Sequence, residues 1–172
     1  CRAGARGAAR RLCLGGDMTG SVFGRLSVLV VDDSAYMRHL LLTLLQALGV
    51  PDIRLAADGD EAWDAFRQSE PDIVITDAAM VPTDGFTLAQ RLRSLRGRAL
   101  GTVPIIMISG HTDLVSIERA RDIGITEFLS KPISARGLYE RLIHVCHRTR
   151  PLIETPDYRG PHRPRLDPPL QT

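Results

Sequence analysis

Two stretches decide the fold: VLVVDDSAYM at Val28–Met37 and IVITDAAMVPTDG at Ile73–Gly85. Each opens with a short, uninterrupted apolar run rich in Val and Ile. Such runs mark strands buried on both faces, as in a parallel sheet covered by helices. Each run ends in aspartate, Asp32-Asp33 in the first and Asp77 in the second. After Asp33, Ser34 offers a helix cap, and Met37, Leu40, Leu41, Leu44, Leu45 and Leu48 fall on one helical face until Gly49 and Pro51.

Outward from these stretches the alternation continues. Ile53–Ala56 reads as a strand, and residues 59–69 as a helix burying Ala62, Ala65 and Phe66. Asp84-Gly85 is a turn signal ahead of a helix running to about Leu95. Pro104–Ile108 is a fourth strand, Thr112–Ile123 a helix closed by Gly124, Ile125–Leu129 a fifth strand and Ser134–Cys146 a last helix. Strand and helix alternating five times predict an α/β fold, a five-stranded parallel sheet between two helical layers. Ligands in such sheets bind beyond the carboxyl ends of the strands.

The flanks differ in composition. Residues 1–24 are rich in Ala, Gly and Arg without period and are expected to be a disordered extension. Met18 is a candidate start, and an Arg-rich targeting signal is the competing reading. Residues 25–148 form the expected domain. Residues 149–172 carry six of the eleven prolines and read as a disordered or extended tail, in which 155–165 (TPDYRGPHRPR) could serve as a docking peptide. The net charge of +2 resides at the ends, because residues 28–146 hold 12 basic and 16 acidic side chains. A nucleic-acid partner is therefore not expected. No stretch is apolar enough to span a membrane. Cys1, Cys13 and Cys146 are odd in number and contain no CxxC, which fits a reducing, cytoplasmic setting.

At the strand ends the chemistry converges. Asp32 and Asp33 follow strand one, Asp77 ends strand three, Ser109 follows strand four, and Lys131 lies just past strand five. One aspartate after a strand is ordinarily a cap or turn residue. Three brought together repel one another unless a cation sits among them, and all-oxygen donors suit Mg²⁺. Lys131 is the only lysine among 22 basic residues, placed where a phosphate partner belongs. Carboxylate nucleophile, hard cation, hydroxyl and ammonium together suit phosphoryl transfer.

With PIIMIS at 104–109 and FLSKP at 128–132, these segments resemble response-regulator receiver domains over about residues 26–147. The resemblance implies a flavodoxin-like, doubly wound fold. It implies Asp77 as phospho-acceptor, Asp32 and Asp33 as the Mg²⁺-holding pair, and the Ala79 backbone carbonyl in the metal shell. It further implies Ser109 as switch hydroxyl, Lys131 as phosphate-binding lysine followed by a cis peptide, and Phe128 as the aromatic switch. A histidine kinase, phosphotransfer protein or small phosphodonor would supply the phosphoryl group. The readout would be a protein-binding face over roughly residues 112–146, in a signalling switch rather than an enzyme. Ala79, often polar in the family, is a departure that touches the lifetime of the phosphoryl group, and Phe128 lacks a hydroxyl. His111 near the site reads as an exposed helix-start residue, and His144 and His147 as charge at a helix C-terminus. Two other readings share these residues: a receiver fold that binds partners without being phosphorylated, and a carboxylate-nucleophile phosphohydrolase. The latter needs a further acid, which the sequence does not offer, since Asp84 reads as a turn residue.

Overall fold

The computed structural model describes residues 22–95, 102–110, 114–147, 152–155 and 158–161. Five strands, β1 (Ser27–Val31), β2 (Asp52–Ala56), β3 (Ile73–Asp77), β4 (Ile105–Ser109) and β5 (Glu127–Ser130), form one parallel sheet ordered β2-β1-β3-β4-β5. Five helices connect and flank them: α1 (Ala35–Ala47), α2 (Gly59–Gln68), α3 (Gly85–Ser94), α4 (Leu114–Ile123) and α5 (Ala135–His147).

Side chains alternate across each strand, so the apolar runs feed two cores at once. Val28, Val30, Ile73, Ile75, Ile106 and Ile108 face α1 and α5, meeting Leu41, Leu45, Leu138 and Leu142. Leu29, Val31, Val74 and Ile105 face the other way, toward Phe66 of α2 and Leu88 and Leu92 of α3. A smaller cluster beneath α4 joins Ala78, Phe86, Met107 and Ala120.

Several boundaries differ from the sequence reading. β5 begins at Glu127 rather than Ile125, because the Ile125 amide donates to Ala120 O and closes α4 behind Gly124 at φ 92°. That is the left-handed helix end for which glycine is suited. Core packing also reaches ahead of residue 25. Phe23 is buried in the α1–α5 core and packs edge-on against Tyr139, ring centroids 5.8 Å apart. One aromatic ahead of the first strand has no periodicity to announce it. Within the expected irregular tail, β6 (Leu152–Thr155) pairs antiparallel with β7 (Tyr158–Pro161), and β7 runs beside α3 and α4. Pro161 fits this hairpin because it ends β7, where no further ladder amide is needed. The rest of that tail, residues 1–21 and His111 lie outside the described residues.

Arg93 is a cation that the helical pattern does not single out. It is buried, with Nε and Nη2 donating to Gly124 O at 3.1 and 2.9 Å and Nη1 donating to Val103 O at 2.8 Å. One guanidinium thereby ties α3 to the entry of β4 and to the α4–β5 turn. Arg93→Met keeps the stem but strands these buried carbonyls, and is expected to cost about 2–4 kcal/mol in urea unfolding. A loss under about 1 kcal/mol would mean that water replaces the guanidinium there.

Candidate phosphoryl-transfer site

The carboxyl edge of the sheet assembles the site. The bonding to β2 reaches one residue past the end of β1, as the Asp32 amide donates to Ala56 O at 3.2 Å. The chain then turns sharply. The Ser34 amide donates to Asp32 Oδ1 at 2.8 Å, and Ser34 caps α1 by accepting from the Met37 amide. Asp32 is thereby drawn inward and fully buried, whereas Asp33 faces solvent. Asp77 is the last residue of the central strand β3 and is nearly buried, and the next amide, of Ala78, donates to Ile108 O at 2.8 Å.

These connections bring together what the sequence lists separately. Carboxylate oxygens of Asp32, Asp33 and Asp77 all lie within 4.8 Å of one another. Lys131 Nζ donates to Asp77 Oδ2 at 3.0 Å and stands 3.7 Å from Asp32 Oδ2. The Lys131 amide donates to Ser109 O at 2.8 Å, which fixes the lysine beside the end of β4. Ser109 is itself buried there. The Lys131–Pro132 peptide is cis, and so is Val81–Pro82.

Electrostatics follow from this crowding. Burial pushes the Asp32 carboxyl above its ordinary pKa, and Asp77 and Asp33 push the same way. The Ser34 amide and Lys131 pull it back only in part. For Lys131, burial is the largest single influence and would lower its pKa. The hydrogen bond and charge of Asp77, with the charge of Asp32, outweigh it and hold the ammonium above its usual value. Asp32 Oδ2 is buried with no hydrogen-bond partner, since Lys131 is beyond hydrogen-bond range. An orphaned anionic oxygen beside two more carboxylates is the donor set that a hard divalent cation satisfies.

The remaining expected residues surround this cluster. Ala79 is exposed just past Asp77, and Ala78 is buried. Phe128 lies half-buried on β5, opposite Met107, against the cluster beneath α4. His144 Nδ1 is 4.0 Å from Glu127 Oε2 and His147 ends α5, both away from the acidic cluster by sequence and element.

Three features escaped the sequence reading. Asp84 is the N-cap of α3, accepting from the Thr87 amide at 2.6 Å, not merely a turn residue. Gly85 follows because α3 starts against β3, so close that a Cβ there would lie 2.0 Å from Asp77 O. Asp60, at the start of α2, accepts from Thr83 Oγ1 at 2.7 Å and pairs with Arg91, holding the 78–84 loop to α2. The Arg91 hydrogen bond, then that of Thr83, depresses the Asp60 pKa.

The family of response regulator receiver domains matches residues 28–143. The chain belongs to this family. The receiver is 34% identical over 121 residues to the probable transcriptional regulator ycf27 of Porphyridium aerugineum, covering 70% of this chain and 48% of that protein. The chain thus spans about half the length of the ycf27 regulators it matches. It is 31% identical to the chemotaxis protein CheY1 of Helicobacter pylori over 118 residues, covering 68% of this chain and 94% of that one. Among solved structures, the receiver superposes on chemotaxis protein CheY4 of Vibrio cholerae with a TM-score of 0.65 at 29% identity, covering 70% and 98% of the two chains. A CheX–CheY–BeF₃–Mg²⁺ complex from Borrelia burgdorferi gives 0.65 at 27% identity, covering 72% and 90%. The fold is the flavodoxin-like, doubly wound sheet of these receivers. Among the described residues no helix is long and apolar enough to cross a membrane.

Proposed function

We propose that this receiver is a phosphorylation switch of a two-component pathway, with Asp77 as its acceptor. The observation that carries the reading is the contact of Lys131 Nζ with the Asp77 carboxylate, 3.0 Å, inside a cluster of three aspartates. A nucleophilic carboxylate held beside a fixed cation is arranged for an incoming anion.

Asp32, Asp33, Asp77 and the Ala79 carbonyl are the groups that would hold Mg²⁺, whose charge offsets that of the arriving phosphoryl oxygens. An Asp77 oxygen attacks the phosphorus of a phosphohistidine on a histidine kinase or phosphotransfer protein. The P–O bond forms, the P–N bond breaks, and the electron pair returns to the imidazole nitrogen. Small acyl phosphates are alternative donors. Lys131 turns from Asp77 to a phosphoryl oxygen, as a point charge on a flexible stem can. Ser109, next to it at the end of β4, donates its hydroxyl to another. Phe128 repacks against the cluster beneath α4, and the face made by α4, β5 and α5 changes shape for a protein target. The product adds nearly two negative charges at the most crowded point of the molecule, which is why a local event can bias a larger element. Donors fed by ATP place this chemistry in the cytoplasm. The Borrelia chemotaxis complex, described with BeF₃ and Mg²⁺, supports a Mg²⁺-dependent reading for this chain.

The test is intact-mass analysis after incubation with acetyl phosphate, with Mg²⁺ or with EDTA. One phosphoryl adduct, on Asp77 and only with Mg²⁺, is expected. No adduct under either condition would establish a receiver that binds partners unphosphorylated. Sustained turnover of phosphate monoesters would establish a phosphohydrolase.

A further inference from the structure

Asp33 differs from its neighbours in how it is held. Asp32 is fixed by burial and by the Ser34 amide, and Asp77 by its place in β3 and by Lys131. Asp33 is exposed, and among the described residues no hydrogen bond reaches its carboxylate. Its reach is therefore limited only by its own rotamers and by the direction in which its Cβ leaves the backbone. That backbone is pinned from one side: Arg38 Nη1 donates to Asp32 O at 2.7 Å and to Asp33 O at 3.1 Å. These two carbonyls belong to the peptide planes before and after the Asp33 α-carbon. Fixing both planes fixes φ and ψ of Asp33, and with them the direction in which its side chain leaves the chain. The anchor is itself rooted, because the Arg38 amide donates to Ser34 O in the first turn of α1.

We infer that Arg38 is a positioning residue for divalent-cation binding, aiming the exposed Asp33 carboxylate at the cation by gripping the carbonyls on either side of it. The inference rests on the metal reading of the acidic cluster given above and adds a residue that holds no metal itself. Its sign is diagnostic. Arg38 is a cation near the site, so by charge alone its removal would strengthen binding of a second cation. Positioning requires the opposite.

The experiment uses the full chain, with Mn²⁺ as the probe and electron paramagnetic resonance reading free Mn²⁺. Arg38→Met is expected to weaken Mn²⁺ binding about tenfold, the scale of outer partners that orient metal ligands. Arg38→Lys keeps the charge, but its ammonium ends about one bond short of the Nη1 that bridges both carbonyls, on a more flexible stem, and is expected to weaken binding at least about threefold. It carries the comparison if Arg38→Met does not fold. Melting in EDTA, compared across variants, separates this loss from general destabilisation, because affinity is measured well below each melting point. Unchanged or tighter Mn²⁺ binding in either folded variant, with binding by the parent chain intact, overturns the positioning role alone. A parent chain with no Mn²⁺ affinity overturns the metal reading and this inference with it.

Discussion

Asp77→Asn is expected to abolish the phosphoryl adduct while leaving the fold intact. Asparagine matches aspartate in shape, but its amide carries no charge and is a poor nucleophile. Loss of the attacking group elsewhere costs on the order of 10⁴-fold or more, so the adduct should fall below detection by intact mass. Stability should move by no more than about 1 kcal/mol, because two effects oppose each other. The pair with Lys131 is lost, but so is one of three carboxylates crowded within 4.8 Å. Thermal melting in EDTA checks this second part. A phosphoryl adduct persisting in Asp77→Asn would move the acceptor to another residue.

Gly85→Ala is expected to be severely damaging for a change that adds one methyl group. Its Cβ would lie 2.0 Å from Asp77 O and 2.9 Å from Thr76 Oγ1. The oxygen is backbone of the central strand, held between β1 and β4, and cannot retreat. The start of α3 must therefore shift by more than an ångström or the strand must bend. Stability should fall by more than about 3 kcal/mol, beyond the usual range for one added methyl, because the clash is with backbone. Where the variant still folds, displacement of Asp77 should slow adduct formation by about tenfold or more. Gly110→Ala is the control, since nothing lies within 4 Å of its Cβ position. Equal urea midpoints for the two variants would show that the approach of α3 to β3 is looser than described.

The fold was legible because its three inner strands are buried on both faces. Val28–Val31 and Ile73–Ile75 show no alternation, and that absence of polar residues marks a sheet covered on both sides. The acidic cluster was legible for a related reason. Polar residues ending apolar runs stand out, and topology sends all such ends to one edge. A lone lysine among arginines gave the fourth member. What stayed hidden depends on approach in three dimensions. Arg93 and Arg38 look like ordinary helical cations, and only the carbonyls they meet distinguish them. Asp60 meets Thr83 across 23 residues of chain, and Gly85 is explained by an oxygen on a different element. Phe23 and the β6–β7 pairing lie in segments whose composition argues for irregularity, so one buried ring and one short ladder had no pattern to carry them.

Because Lys131 is the one lysine in 172 residues, the chain holds a single side-chain amine. Acylating reagents, which only the uncharged amine attacks, therefore have one side-chain amine to modify, and the carboxylates around it slow that reaction by holding it protonated. The rate at which that amine acquires one acyl mass increment, read on the peptide that carries it, becomes a measure of how much negative charge surrounds it, with no second lysine to blur the signal.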